Sequence, residues 1–229
     1  LFRSFMTEVR AADLLAPAYL RERARLIDPK RAIDPGPGRP PQGGTVYLTT
    51  ADAQGRMVSF IQSNYLGFGS GVVVPGWGVS LQNRGHGFTL QDGHPNQVAP
   101  GKRPFHTIIP GFLSRDGKPV MAFGVMGANM QPQGHVQTLV RMLVHHQQPQ
   151  AACDAPRWKW GQGLDVDFEP TMAPELREGL KALGHRFEPA ADAYLDFGSG
   201  QFIARLSDDL QDGYAAASDS RRDGQAVGY

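Results

Sequence analysis

The stretch GGTVYLTTADAQGRMVSF (Gly43–Phe60) contains the change of pattern that decides the fold. From Thr45 onward the side chains follow a period of two, as they do in a β-strand. The segment ADAQGR carries turn-forming residues, and the following MVSFIQS reads as a second strand. Two such runs joined by a short turn predict a β-hairpin that begins at Thr45.

The segment before this hairpin is rich in proline and glycine. Residues 28–44, DPKRAIDPGPGRPPQGG, contain five prolines and four glycines, so they predict a linker that is neither helix nor strand. Residues 1–27, which precede it, have a helical pattern. The linker is either a simple surface connector or a segment at which the chain is processed.

Thr45 is either an ordinary strand residue or a reacting group. Threonine is common in strands. Its hydroxyl is a weak nucleophile until a base activates it, and the α-amine of an N-terminal threonine can be that base. Such an amine has a pKa of about 8, so it is substantially neutral near pH 7–8. A cut after Gly44 would create this amine, and Gly44 has no side chain to block the approach of the hydroxyl to its carbonyl. These residues alone leave both interpretations open.

The remaining patterns predict a layered α+β domain. KPVMAFGVMG and GQFIARL read as strands, and APELREGLKALG reads as a helix. GHVQTLVRMLVHH is the clearest helix, and its apolar stripe consists of Val136, Leu139, Val140, Leu143 and Val144. The order of these elements predicts helices packed on an antiparallel sheet.

The composition excludes several functional classes. A formal net charge of +1 gives no electrostatic argument for binding nucleic acid or an acidic membrane. No apolar run approaches the ~20 residues of a membrane-spanning helix. Cys153 is the single cysteine, so no intrachain disulfide forms. No metal-binding or phosphate-binding motif is present, and the adjacent His145 and His146 point in different directions on a helix, so they cannot chelate one metal.

Several blocks in conserved order along the chain resemble the small subunit of the γ-glutamyltranspeptidase family. The blocks are TVYLTTADAQGRMVSFIQSNYLGFGSGVVVPGWGVSLQNRG, APGKRPFHTIIPGFL, MAFGVMGANMQPQGHVQTLVRML, APRWKW and ASDSRRDGQAVGY. The upstream AYLRERARLIDP resembles the end of that family's large subunit. The resemblance implies an N-terminal-nucleophile (Ntn) hydrolase with an αββα sandwich of antiparallel sheets, of which this chain supplies part.

The resemblance also implies how the chain is divided. Autoproteolysis between Gly44 and Thr45 would leave residues 1–44 as the end of the large subunit and the processing linker. Residues 45–229 would form the small catalytic subunit. The remainder of the large subunit is then the expected partner in a heterodimer.

The same resemblance assigns candidate catalytic residues. Thr45 matches the family's catalytic threonine, which forms an acyl-enzyme with an amide substrate and passes the acyl group to water or an amine. Ser63 stands where the family has a second threonine, and it keeps the hydroxyl that supports the nucleophile. Gly127 and Ala128 match the paired glycines whose backbone N–H groups form the oxyanion hole.

The departures from the family concern the substrate. Arg84 and Gly87 stand in the segment where acidic residues hold the substrate ammonium, Tyr65 replaces an asparagine, and His106 and Thr107 replace a serine pair. An arginine repels an ammonium but can pair with a carboxylate. The pattern resembles a divergent branch that includes oxamate amidohydrolase and, more loosely, glutaryl-cephalosporin acylases. The expected substrate is a small amide or a γ-glutamyl-like compound that bears a carboxylate.

Two hypotheses of different class remain. One is an active amidohydrolase or acyltransferase that acts through Thr45. The other is an unprocessed, inactive and truncated homologue, or an assembly partner. Neither needs a metal or an organic cofactor, because nucleophile, base and oxyanion donors all come from the protein. The sequence leaves the compartment open between cytoplasmic and periplasmic or secreted.

Overall fold

A computed structural model of the chain describes residues 12, 15–25, 27–32, 44–187 and 196–228. The helix predicted over residues 1–27 is present as α1 (Pro17–Ala24). The remainder of that prediction before residue 15, apart from residue 12, lies outside the described residues, as do residues 33–43 of the predicted linker.

The predicted strands and helices are present in the predicted order, and the structure adds elements that were not predicted. The strands are β1 (Gly44–Ala51), β2 (Met57–Tyr65), β3 (Val73–Val74), β4 (Val79–Ser80), β5 (Gly111–Arg115), β6 (Lys118–Met126), β7 (Trp158–Trp160), β8 (Val166–Phe168), β9 (Ser199–Arg205) and β10 (Tyr214–Ser218). After α1, the helices are α2 (Met130–Leu143), α3 (Pro149–Asp154) and α4 (Pro174–Ala182). The elements that were not predicted include β7, β8, β10 and α3.

The hairpin predicted from the opening stretch is confirmed. β1 pairs with β2 in an antiparallel register that places Thr45 opposite Ser63. The larger sheet has the strand order β10–β9–β6–β5, and its neighbouring strands are also antiparallel. The predicted α+β class with antiparallel sheets is therefore confirmed.

The hairpin and the helices lie on opposite faces of the four-stranded sheet. A Cβ atom added to Gly124 would lie 2.7 Å from the ring of Tyr47, so the hairpin approaches β6 closely at this glycine. Phe123, whose side chain points to the other face, contacts His135 of α2 in a tilted arrangement with ring centroids 5.0 Å apart. The core between sheet and helices consists of Met121, Phe123, Val125, Cys153, Phe202 and Ala217. Helix, sheet and hairpin are three successive layers of an αββα sandwich.

The predicted helix in GHVQTLVRMLVHH is confirmed, but its expected buried face is wrong. α2 begins four residues before Gly134 and ends at Leu143, so both adjacent histidines lie beyond it. Four residues of the expected stripe are between 41% and 63% exposed, namely Val136, Val140, Leu143 and Val144. The buried residues of α2 are Met130, Gln131, Gly134, Gln137 and Thr138. Amide side chains can be buried on this face because they bind neighbouring backbone, which hydropathy does not reveal.

Two glutamines of α2 show how amide side chains on this face are hydrogen-bonded. Gln137 donates from Nε2 to the carbonyl of Trp158 at 2.9 Å, and its Oε1 accepts the N–H of the same residue at 3.1 Å. Gln133 makes the equivalent pair with Trp160, at 3.2 and 2.7 Å. The glutamines therefore cover one edge of β7 as a neighbouring strand would, while β8 pairs with its other edge.

The outer face of the hairpin is apolar and exposed. Val46, Leu48, Val58 and Phe60 are each more than 40% exposed. In a complete αββα sandwich this face is covered by the second helical layer.

Within the described part of the chain, none of the helices has the length and apolar character needed to cross a bilayer.

Candidate active site

The hydroxyl groups of Thr45 and Ser63 meet at the open end of the hairpin. Thr45 Oγ1 donates a hydrogen bond to Ser63 Oγ at 3.1 Å, and the backbone N–H of Tyr65 donates to the same oxygen at 3.0 Å. The strand register shifts between Gly44 and Thr45, which places a β-bulge beside the predicted cleavage point. Tyr65 is buried and has φ 78°, a strained conformation for a bulky residue that aims its N–H at Ser63.

The residues predicted to form the oxyanion hole lie in the turn between β6 and α2. The carbonyl of Gly127 accepts the N–H of Met130 at 2.9 Å, and the carbonyl of Ala128 accepts the N–H of Gln131 at 3.1 Å. Ala128 has φ 50°, in the left-handed region that non-glycine residues adopt rarely. The turn is thus fixed to the first residues of α2 and brings Ala128 to the same pocket as Thr45.

Arg84 lies against the same group of residues and has one unsatisfied donor. Its Nε donates to Thr107 Oγ1 at 2.9 Å and its Nη1 donates to the carbonyl of Ser63 at 3.0 Å. The guanidinium carbon stands 5.9 Å from the ring centroid of Tyr65, within range of a cation–π interaction. Burial lowers the pKa of Arg84. Its Nη2 is buried without a hydrogen-bond partner among the described residues.

Some of these residues line an open pocket of about 210 Å³, a volume that includes space open to solvent, whereas Arg84 and Gly127 lie outside its lining. Its lining consists of Thr45, Ser63, Tyr65, Thr107, Ala128 and Gln131. Five of the six are residues singled out from the sequence. Gln131 was missed, because a glutamine in a helix carries no sequence signal for a site.

His106 is placed differently from its neighbour Thr107. It is exposed and does not line this pocket. Its predicted part in substrate binding stays a prediction. Gly87 ends a short 3-10 helix, Arg84–Gly87, which carries Arg84 into position.

A buried arginine, Arg157, binds the segment packed behind the predicted oxyanion turn. Arg157 is 1% exposed and donates from Nη1 to the carbonyls of Phe197 and Gly198, each at 3.0 Å. A Cβ atom added to Gly127 would lie 2.7 Å from Gly198 Cα, so the two backbones are in direct contact. Arg157 therefore fixes Phe197 and Gly198, the segment that contacts the turn at Gly127.

Arg157 is part of a buried ion network that the sequence reading did not assign. Its Nη2 pairs with Asp219 Oδ2 at 2.7 Å, while Arg221 pairs with Asp219 Oδ1 at 3.0 Å and with Glu169. Burial opposes ionisation of Asp219, but the two guanidinium groups outweigh it and hold its pKa below the usual range. The sequence signal is that Arg157, Asp219 and Arg221 lie in two of the blocks that resemble the family, APRWKW and ASDSRRDGQAVGY.

The fold is that of the Ntn hydrolases: a sandwich in which a threonine lies at the start of the first strand, beside a second hydroxyl and the turn that carries Ala128. A family model described as gamma-glutamyltranspeptidase matches residues 3–229, and the chain belongs to that family. The resemblance found in the sequence is therefore confirmed.

Relatives of the divergent branch are among the most similar proteins. The oxamate amidohydrolase proenzyme of Klebsiella pneumoniae is 38% identical over 227 residues, covering 97% of this chain and 42% of the relative. The glutathione hydrolase-like YwrD proenzyme of Bacillus subtilis is 37% identical over 199 residues, covering 85% of this chain and 37% of the relative. The chain thus spans about two-fifths of the length of these curated relatives.

Solved structures agree with the assignment. A cephalosporin acylase from Bacillus halodurans superimposes with a TM-score of 0.86 and 48% identity, covering 97% of this chain and 40% of that chain. A γ-glutamyltranspeptidase from Pseudomonas nitroreducens gives a TM-score of 0.66 and 25% identity, covering 80% of this chain and 97% of that chain.

Proposed function

We propose that the chain carries the catalytic centre of an autoprocessed N-terminal-threonine amidohydrolase or acyltransferase, which acts through an acyl-enzyme on γ-glutamyl or related carboxylate-bearing amides. The observation that carries this proposal is the 3.1 Å hydrogen bond between the hydroxyls of Thr45 and Ser63, in a pocket shared with Ala128. Membership in a family whose relatives are named proenzymes supports it.

Processing generates the catalytic base. The Thr45 hydroxyl attacks the carbonyl of Gly44, the peptide bond shifts to an ester, and water hydrolyses that ester. The products are a carboxylate at Gly44 and a free α-amine at Thr45. With a pKa of about 8, this amine accepts a proton near neutral pH.

The amide substrate then reacts in two steps. The Thr45 amine takes the proton of the Thr45 hydroxyl, and Oγ1 attacks the substrate carbonyl while the N–H groups of Gly127 and Ala128 stabilise the oxyanion. The C–N bond breaks and the leaving amine departs with that proton. Water, or an acceptor amine, attacks the Thr45 ester to release the acyl group and restore the hydroxyl. Ser63 holds the Thr45 hydroxyl in place before the attack and again once deacylation has restored it.

Arg84 determines the class of acyl group. Its buried Nη2, unpartnered among the described residues, is a donor for a substrate carboxylate, and Thr107 holds the guanidinium by its Nε. A partly buried cation beside the site repels a substrate ammonium. The preferred acyl group therefore carries a carboxylate but no α-amine, as in glutaryl or oxamic amides.

Processing is tested on the full-length protein by intact mass. Wild-type protein is cut before Thr45, Thr45→Ala stays uncut and inactive, and Thr50→Ala is cut and active because Thr50 is exposed on the strand. A Thr45→Ala protein that still hydrolyses amides contradicts the mechanism. A wild-type protein that is neither cut nor active contradicts it as well, and identifies an unprocessed homologue or assembly partner instead.

Substrate class is tested by comparing kcat/KM for glutaryl and γ-glutamyl anilides. We expect the glutaryl compound to react faster, with weak activity on glutathione. A strong preference for the γ-glutamyl anilide would show that Arg84 does not exclude the ammonium.

A further inference from the structure

Gln131 connects the predicted oxyanion turn with the segment that carries Thr107. Its backbone N–H donates to the carbonyl of Ala128 at 3.1 Å, on the side of the predicted oxyanion hole. Its side-chain Nε2 donates to the carbonyl of Thr107 at 2.8 Å, and its Oε1 accepts the N–H of Ile109 at 2.8 Å. The residue is only 4% exposed.

The segment that Gln131 binds is not part of a β-sheet. Residues 103–110 belong to no helix or strand, so their backbone groups are not fixed by regular secondary structure. Gln131 supplies one donor and one acceptor to Thr107 and Ile109, as a neighbouring strand would. The amide therefore sets the position of Thr107 relative to the pocket.

The position of Thr107 in turn determines the orientation of the Arg84 guanidinium. Thr107 Oγ1 accepts the Nε–H of Arg84 at 2.9 Å, while Nη1 of the same guanidinium binds the carbonyl of Ser63. These two contacts fix the plane of the guanidinium and hence the direction of its unpartnered Nη2. A continuous line of hydrogen bonds thus runs from Gln131 through Thr107 to Arg84.

We propose that Gln131 is a positioning residue for substrate specificity, which holds Thr107 so that Arg84 presents Nη2 to the substrate carboxylate. This inference rests on the proposed function and deepens it. Gln131 acts on recognition of the carboxylate, and its side-chain contacts leave the Thr45–Ser63 pair untouched. Loss of the amide therefore affects substrates with a carboxylate much more than substrates without one.

The test compares glutaryl and butyryl anilides on the full-length, processed enzyme. In Gln131→Leu, kcat/KM for the glutaryl anilide falls at least about 10-fold, mainly through KM, whereas the value for the butyryl anilide stays within about 3-fold. Gln137→Leu is the matched control, because Gln137 makes the same two-bond contact with Trp158 on the same helix. It loses stability but keeps the wild-type ratio of the two substrates.

A double-mutant cycle tests the route through Thr107. Thr107→Val alone removes the acceptor of the Arg84 Nε–H, and combining it with Gln131→Leu adds little further loss of the ratio. Equal loss on both anilides in Gln131→Leu, or full additivity with Thr107→Val, overturns the proposal.

A second variant keeps the proposal testable if Gln131→Leu does not fold. Gln131→Glu has the same shape, but its carboxylate cannot donate to the Thr107 carbonyl, whereas its protonated form can. The ratio of the two substrates therefore recovers in this variant as the pH is lowered from about 8 to about 5.5, because burial favours the neutral acid. Ionisation of the Thr45 amine cancels in the ratio. A ratio independent of pH overturns the proposal.

Failure of this inference is distinguishable from failure of the proposed function. A processed wild-type enzyme that does not prefer the glutaryl anilide over the butyryl anilide rejects the carboxylate-binding function itself. A wild-type preference that survives in Gln131→Leu rejects only the role of Gln131.

Discussion

The Thr45 hydroxyl donates to the Ser63 hydroxyl across the hairpin, with the two oxygens 3.1 Å apart. These residues are also direct partners in the register of β1 and β2. The same Ser63 oxygen accepts the N–H of Tyr65, which reaches it because Tyr65 adopts φ 78° after the bulge. The strand pairing thus determines the orientation of the predicted nucleophile.

Removing the Ser63 hydroxyl should slow the reaction. We expect Ser63→Ala to lower kcat/KM by about 5- to 150-fold, since leaving the Thr45 hydroxyl and the Tyr65 N–H without their acceptor costs about 1–3 kcal/mol. Ser63→Thr keeps the hydroxyl and should stay within about 3-fold. Steady-state kinetics on the glutaryl anilide give the values, and equal activity of Ser63→Ala and wild type would exclude a supporting role for this hydroxyl.

Replacing Arg84 by lysine should weaken carboxylate binding although the charge is kept. A lysine cannot bind Thr107, the Ser63 carbonyl and a substrate carboxylate in one fixed plane. We expect kcat/KM for the glutaryl anilide to fall by about 10-fold or more, with little change for the butyryl anilide. Arg115→Lys, at an exposed position of β5, is the control and should leave both values unchanged. An unchanged substrate ratio in Arg84→Lys would argue against the carboxylate contact.

Adding a methyl group at Gly198 should displace the turn at Gly127. Gly198 has φ 67°, and its added Cβ would collide with the carbonyl oxygen of Met126. Gly213→Ala is a matched control, because Gly213 has φ 78° and its added Cβ meets no described atom within 4 Å. The positive φ costs each alanine variant about 1–3 kcal/mol in backbone strain, and Gly198→Ala also carries the collision with Met126.

Only Gly198→Ala should also lower kcat, by about 100-fold if the oxyanion donors move. Urea unfolding and steady-state kinetics separate the two effects. Comparable kcat values for Gly198→Ala and Gly213→Ala would show that this contact does not control the turn.

Breaking the buried ion network at Asp219 should strongly destabilise the fold. Asp219→Asn leaves the buried Arg157 guanidinium without its carboxylate and leaves Arg221 paired with Glu169 alone, which costs about 3–5 kcal/mol in unfolding free energy. Glu178→Gln removes the exposed pair with Lys181 and should cost less than about 1 kcal/mol. Urea denaturation at pH 7 measures both, and similar losses would mean that the buried network contributes no more than a surface pair.

His135 should make the fold less stable in mild acid. Burial lowers its pKa from 6.5 to about 4, and its Nε2 has no hydrogen-bond partner in the described part of the chain. The native state therefore keeps His135 neutral while the unfolded chain binds a proton below about pH 6.5. As the pH falls from about 6.5 to about 4, the unfolding free energy decreases by up to about 3 kcal/mol from this group.

Replacing His135 isolates this contribution. His135→Met fills the same space without titrating, and we expect it to reduce the loss of stability between pH 7.5 and pH 4.5 in urea denaturation. His145→Gln, at an exposed histidine beyond α2, should keep the wild-type pH dependence. An identical pH dependence in all three proteins would contradict a buried neutral His135.

Local patterns in the sequence determined the secondary structure and the place of the candidate nucleophile. The period of two from Thr45, the turn residues of ADAQGR and the second apolar run are sufficient for the hairpin, because neighbouring side chains of a strand alternate between its faces. The proline- and glycine-rich segment ends immediately before Thr45, and this position distinguished Thr45 from Thr49 and Thr50 as the candidate nucleophile. The blocks that resemble the family then indicated five further site residues, namely Ser63, Arg84, Thr107, Gly127 and Ala128.

Only the tertiary structure decided how these residues meet. Hydropathy placed the wrong face of α2 toward the core, because it does not register that Gln131 and Gln137 bind backbone of distant segments. The contact of Arg84 with Thr107 and the support of Gly198 by Arg157 also join residues far apart in the chain. Periodicity reports which side of its own element a residue occupies, whereas such hydrogen bonds depend on where another element is packed. The sequence by itself therefore determined the hairpin and Thr45, and tertiary packing decided the direction of Arg84 and the role we propose for Gln131.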